Sequence, residues 1–205
     1  MRILTYGDSI TDAGRNANGM GFGYPAYIAG TLLSENPEKY EVVNRGISGN
    51  RIVDLYARIK RDVWNLKPDV LSILIGINDI WHGLHEDPNG VELDRFVKVF
   101  RMLIDDTLKE LPNVKIMLCE PFVLHGVATD PYFDEFSEIK NYAKEIKKIA
   151  DEYGFSYVPL QAKLDEVSSK FSPQAFASDG VHPTVAGAKV IADEWLKVFR
   201  KEIDK

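Results

Sequence analysis

The chain has 205 residues, 45% of them apolar and 27% charged, with a formal charge of -6. That length and balance suit one globular domain with a substantial core, and a net negative charge with scattered basic residues argues against a nucleic-acid partner. A single cysteine, Cys119, excludes an internal disulfide and a cysteine-based metal site, and no stretch approaches the ~20 apolar residues of a membrane span.

In chain order, the apolar run after Met1-Arg2 is broken at Asp8, so no leader is visible and a cytoplasmic location is expected. Five runs have strand composition: residues 2–6, 40–44, 70–75, 115–119 and 155–159. Leu71-Ser72-Ile73-Leu74-Ile75 is too continuous for a half-wet strand and suits a sheet covered on both faces. Between the strands lie segments with apolar residues three and four apart, at 24–33, 52–66, 93–111, 133–153 and 185–200. Strand and helix in alternation predict an α/β fold, a three-layer sandwich around a mostly parallel five-stranded sheet with right-handed crossovers. Among the possible strand orders the flavodoxin-like 2-1-3-4-5 is preferred. Residues 12–23 and 76–91 lack periodicity and read as loops, both following strands and so on one end of the sheet. Neither an internal repeat nor a linker interrupts residues 1–205, which predicts one domain.

Each strand ends in a polar turn. Gly7-Asp8-Ser9 follows the first, Asn44-Arg45-Gly46-Ile47-Ser48-Gly49-Asn50 the second, and Gly76-Ile77-Asn78-Asp79 the third. Glu120-Pro121-Phe122 follows the fourth, and Asp179-Gly180-Val181-His182-Pro183 comes after the fifth and one more helical stretch. On one rim of a parallel sheet these turns bring together a serine, a glycine backbone, an asparagine, a histidine and an aspartate. Those are the groups of acyl transfer: nucleophile, oxyanion donors, base and base-orienter. Taken alone, Ser9 reads more readily as a helix cap or turn former than as a nucleophile, and Asp179 can be read as a cap of the last helix.

All four blocks in this order, each after its expected element, resemble the SGNH (GDSL-type) hydrolase superfamily over nearly the whole chain. Ile10 stands where the namesake motif has leucine, a conservative departure. The resemblance implies Ser9 as nucleophile, His182 as base and Asp179 as its orienter, with the backbone N–H groups of Ser9 and Gly49 and the side-chain amide of Asn78 as oxyanion donors. Within the superfamily the blocks look most like bacterial carbohydrate O-acetyl esterases, including acetylxylan esterases. That implies a small-molecule or oligosaccharide ester as substrate, no cofactor, and self-association into a homo-oligomer.

Around these groups, Asp8 and Asp79 are read as scaffold carboxylates that hold the loops, and Asp12 and Arg45 as supporting partners behind the reacting groups. Trp81 and Phe122, on adjacent rims, could form an apolar wall or a sugar-stacking platform, or simply pack. His82 and His85 lie three apart with Asp87 nearby. No helix need align their rings, and the acyl-transfer set calls for no metal, so His82 is read as pocket lining rather than as a ligand. Two other readings are weaker: a lysophospholipase or thioesterase, which needs a long apolar groove, and a carbohydrate-binding relative without turnover.

Overall fold

The computed structural model describes residues 1–16 and 19–204; the loop expected at 12–23 therefore falls in part on residues outside the described ones. Its five strands are β1 (Arg2–Gly7), β2 (Glu41–Gly46), β3 (Val70–Leu74), β4 (Lys115–Cys119) and β5 (Ser156–Val158). They form one sheet in the order β2-β1-β3-β4-β5, every pair parallel, as the alternation of strand and helix predicts. All five residues of β3 are buried, because it lies between β1 and β4 and both of its faces are covered by helices.

The longer helices are α2 (Tyr24–Glu35), α3 (Ile52–Asp62), α5 (Leu93–Glu110), α7 (Ile139–Tyr153), α8 (Gln161–Lys170) and α9 (Val185–Glu202). Each long crossover helix buries one face: Ile52, Leu55 and Ile59 on α3, Phe96, Phe100, Leu103 and Ile104 on α5, Ile139, Ala143, Ile146 and Ala150 on α7. α3 packs beside α5 and α5 beside α7, while α2 packs against α9, giving a layer on each side of the sheet. Trp195 on α9 is fully buried, and its Nε1–H donates to Ser72 Oγ of β3 at 2.8 Å, which ties the last helix to the central strand. Cys119 is also buried, and burial pushes its thiol up to about 12.

Several boundaries differ from the sequence reading. The segment 76–91, read as loop, contains the helix α4 (Ile77–Trp81) and a 3-10 turn at His82–Leu84. Ile77, Asn78, Asp79 and Ile80 are all buried, so no alternation of polar and apolar residues marks α4. The helix expected over 133–153 is interrupted: a single turn, α6 (Phe133–Phe136), precedes α7. The helix expected over 52–66 stops at Asp62 and is followed by a 3-10 turn at Trp64–Leu66. A further one-turn helix, α1 (Ser9–Asp12), begins directly at the end of β1.

The chain leaves β1 towards β2 on one side and β3 towards β4 on the other. The ends of β1 and β3 therefore flank the point where the strand order reverses, and crevices for ligands form at such points in open α/β sheets.

Candidate active site

Asp8 caps α1: its Oδ1 accepts from the Ile10 N–H at 2.9 Å. The cap turns the chain sharply out of β1, leaving Ser9 at the first helical position and half-exposed. Asp8 itself is 1% exposed, and its other oxygen, Oδ2, has no hydrogen-bond partner. Burial pushes this carboxyl up to about 7.

Ser9 Oγ lies 2.8 Å from His182 Nε2, and His182 Nδ1 lies 2.6 Å from Asp179 Oδ2. With the imidazole proton on Nδ1, facing the carboxylate, Nε2 is left as the acceptor for the Ser9 hydroxyl. The second Asp179 oxygen, Oδ1, accepts from the N–H groups of Val181 at 2.9 Å and His182 at 2.7 Å. Burial alone would raise this carboxyl; the hydrogen bonds from His182 and Val181 outweigh burial and hold it below the usual carboxylate range. The aspartate is thus ionised and fixed by the turn it organises. It does not cap the last helix: Thr184 does, its hydroxyl accepting from the Gly187 N–H at 3.2 Å. The turn is pinned from outside by the Leu124 N–H, which donates to the Gly180 carbonyl at 2.8 Å.

The loop after β2 is built by close contacts with α1. Asp12 Oδ2 accepts from both the N–H and the hydroxyl of Ser48, at 3.0 and 2.7 Å, which ties the end of α1 to the loop. The Asn44 amide donates to the Thr11 carbonyl at 2.6 Å and the Met20 carbonyl at 2.9 Å. Gly49 has a φ of 79°, a conformation that favours glycine. Asn78, buried on α4, donates one amide hydrogen to the Asn50 carbonyl at 3.1 Å, and its second amide hydrogen remains for another acceptor. Asp79 accepts from the Ile52 N–H at 3.1 Å, fastening the start of α3 to α4. Burial raises its carboxyl well above the ordinary range.

Arg45 is a correction. Its carbonyl, not its guanidinium, takes part, and the supporting cation is Arg58 on α3. Arg58 donates to the Gly7 carbonyl at 3.0 Å, the Arg45 carbonyl at 2.9 Å, Asn50 Oδ1 at 2.7 Å and Asp62 Oδ2 at 2.9 Å. Its guanidinium also lies over the Tyr6 ring, 4.3 Å from the centroid. One planar cation thereby joins the ends of β1 and β2 to the turn that accepts from Asn78. In the sequence Arg58 and Asp62 look like an ordinary i,i+4 surface pair.

A cavity of about 270 Å³ opens at Ser9 and is lined by Ala13, Phe22, Ser48, His182 and Pro183, among others. A larger one, about 760 Å³, lies between α7, α8 and the segment after β4 and contains none of the Ser9, His182 or Asp179 side chains. The smaller cavity is the one at the reacting groups. Phe122 is 1% exposed and belongs to the core, so it offers no face to a substrate. Its neighbours Val123 and Leu124, also buried, draw the segment under the Asp179 turn. His82 does not line that cavity either. It stacks on His85 with ring centroids 5.4 Å apart, and burial, with Arg51 and His85 adding to it, lowers its pKa. Among the described residues no group of three or more His, Cys, Asp or Glu is arranged to hold a metal ion. Trp81 stands beside the site, partly buried: its ring is 6.0 Å from that of His182 and meets Phe136 edge-on at 5.6 Å. Phe22, in the stretch 21–24 that the sequence places with Trp81, His82 and Phe122 at the border of the leaving-group opening, is on the cavity wall.

Known proteins carry the same architecture. Residues 5–190 match the GDSL-like Lipase/Acylhydrolase family. An acetylxylan esterase from Geobacillus stearothermophilus is 39% identical over 209 residues, covering 96% of this chain and 92% of that protein. Its crystal structure has a TM-score of 0.86 at 38% identity, covering 96% of this chain and 93% of that one. Three further structures of that enzyme are of catalytic mutants, in which a serine, an aspartate and a histidine are each replaced by alanine. An isoamyl acetate-hydrolyzing esterase from Saccharomyces cerevisiae is 23% identical over 219 residues, covering 97% of this chain and 85% of that protein. The matched residues span every turn that converges on Ser9, from Gly7 to His182, and so the chain belongs to the GDSL-like lipase/acylhydrolase family, a carboxylic ester hydrolase with the SGNH hydrolase fold.

Proposed function

We propose that the protein is a serine esterase that hydrolyses acetyl O-esters on a carbohydrate such as a xylo-oligosaccharide, through an acyl-enzyme on Ser9. The observation that carries this reading is the continuous chain of short contacts from Ser9 Oγ through the imidazole of His182 to Asp179. The names of the relatives, an acetylxylan esterase and an isoamyl acetate-hydrolyzing esterase, support acetate as the acid.

In the first step Ser9 Oγ attacks the ester carbonyl carbon and its proton passes to His182 Nε2. A serine hydroxyl needs such a positioned base, because its own pKa leaves it almost wholly protonated. Asp179 holds the tautomer and stabilises the imidazolium. Negative charge gathers on the former carbonyl oxygen, where the N–H groups of Ser9 and Gly49 and the second amide hydrogen of Asn78 receive it. Each donor of this kind contributes on the order of 3 kcal/mol to the transition state. Collapse breaks the bond to the alcohol oxygen, which takes the proton from His182 and leaves. Water then attacks the acyl-Ser9 ester, giving its proton to the same nitrogen, and acetate departs with Ser9 restored.

Rates on esters of increasing acyl length, with Ser9→Ala, His182→Ala and Asp179→Asn beside the parent, test the reading. Acetyl esters are expected to be cleaved best. Ser9→Ala and His182→Ala should each lower kcat by at least about 10⁴-fold, with Asp179→Asn leaving a small residual rate. A fluorophosphonate probe should label the parent once per chain and Ser9→Ala not at all. Retention of turnover by Ser9→Ala would remove Ser9 as nucleophile. An optimum at octanoate or longer would favour a lysophospholipase or thioesterase, and absence of both labelling and turnover on any ester would favour a carbohydrate-binding protein.

A further inference from the structure

Phe22 is the aromatic ring on the wall of the Ser9 cavity, and the acyl-transfer steps leave it without a task. It is 67% exposed, although burying such a ring would ordinarily stabilise the fold. Its backbone is tied down: the Phe22 N–H donates to the Ala13 carbonyl at 3.0 Å, just past the end of α1. Its ring rests against Gly14, where a Cβ would stand only 2.6 Å from ring atom Cε1. One edge of the ring is therefore seated on backbone that accepts no larger residue, and much of the rest is open to water.

The same cavity has Ser9, His182 and Pro183 on its wall. His182 must hand its proton to the departing oxygen, so the alcohol half of the ester occupies the space beside the imidazole. Phe22 borders that space. A pyranose has a face of C–H groups and a rim of hydroxyls, and an aromatic ring that is fixed on one side and wet on the other can cover that face while the rim stays in solvent. A two-carbon acyl group, by contrast, needs an enclosed wall. Trp81, already packed between Phe136 and His182, has both neighbours in place before substrate arrives.

We propose that Phe22 determines leaving-group specificity by stacking on the C–H face of the sugar ring that carries the acetyl ester, a role that rests on the carbohydrate reading above. Steady-state kinetics on an acetylated xylo-oligosaccharide, ethyl acetate and ethyl butyrate, with Phe22→Ala and Phe22→Trp beside the parent, test it. Phe22→Ala is expected to raise KM for the oligosaccharide about tenfold more than for ethyl acetate, which has no ring to stack, with kcat on the sugar nearly kept. Phe22→Trp should restore most of the loss. Equal losses on the oligosaccharide and ethyl acetate would overturn the proposal in favour of a structural role. A gain selective for ethyl butyrate would overturn it in favour of an acyl-side wall. If the parent cleaves ethyl acetate but no acetylated saccharide, the carbohydrate reading falls and the proposal with it. That failure appears before any substitution is made, which separates it from the other two.

Discussion

Asp8 holds the cap of α1 with one oxygen and leaves the other buried without a partner. Burial pushes its carboxyl up to about 7, from the ordinary value of 3.8. Between those values the folded state binds the proton more tightly, so stability falls as pH rises through the window and the deficit is complete above it. Three pKa units correspond to about 4 kcal/mol at most. Asp79, raised in the same direction, adds to the trend; Asp179, held below its ordinary range, contributes stability that is lost only in stronger acid. Asp8→Asn keeps an oxygen for the Ile10 N–H and removes the titration. Urea unfolding of parent and variant at about pH 4.5 and about pH 7.5 is expected to show the parent losing stability relative to Asp8→Asn as pH rises. Parallel behaviour across the window would mean that the charged form is not penalised.

The turn after β2 shows how an element can depend on one atom that is missing. A Cβ on Gly46 would stand 2.2 Å from the Asp12 nitrogen and 2.6 Å from the Thr11 carbonyl carbon, both backbone of α1. Neither can yield without moving Ser9's own helix. A Cβ on Gly49 would meet nothing within 4 Å, so only its φ of 79° resists substitution. Gly49→Ala is expected to cost about 1–2 kcal/mol of stability, and Gly46→Ala more than about 3 kcal/mol, or to prevent folding. Thermal or urea unfolding of both variants checks the order. A Gly46→Ala protein within about 1 kcal/mol of the parent would show that α1 is not packed against the strand end as described. Arg58 works at the same scale from the other side. Its four acceptors belong to β1, β2, the Asn50 turn and α3, so one guanidinium adds side-chain bonds across strand ends and a turn that backbone pairing already brings together.

Across the whole molecule, the parallel sheet gathers its turns on one rim, and the reversal of strand order between β2-β1 and β3-β4 opens that rim at Ser9. Every charge that the proposed reaction develops is met by a group of the chain itself: imidazole, carboxylate, amide or backbone N–H. Activity is therefore expected to survive exhaustive dialysis against EDTA. Loss of turnover restored by Zn²⁺ or Mn²⁺ would contradict this and bring His82, His85 and Asp87 forward as ligands.

What the sequence determined by itself was local or periodic. Continuous apolar runs such as 71–75 mark strands buried on both faces, and spacings of three and four mark the long crossover helices, because each pattern follows from the burial of a single element. The motif turns are legible for a similar reason: a nucleophile, its base and the orienter of that base must be particular residue types, and Asp179 and His182 sit close enough in the chain to read together. The tertiary structure alone decided which aromatic faces the cavity and which cation supports it. Phe122 and Phe22 both follow small turn residues, yet the first is drawn into the core with Val123 and Leu124 and the second is held out over Gly14. Arg58 pairs with Asp62 as any helix would allow, and its other acceptors come from residues up to 51 positions away. α4 hides because all but its last residue is buried, and a short segment buried on every side has no face to betray its period. Exposure of a loop side chain and the partners of a cation are sums over neighbours distant in sequence, and no window of the chain contains them.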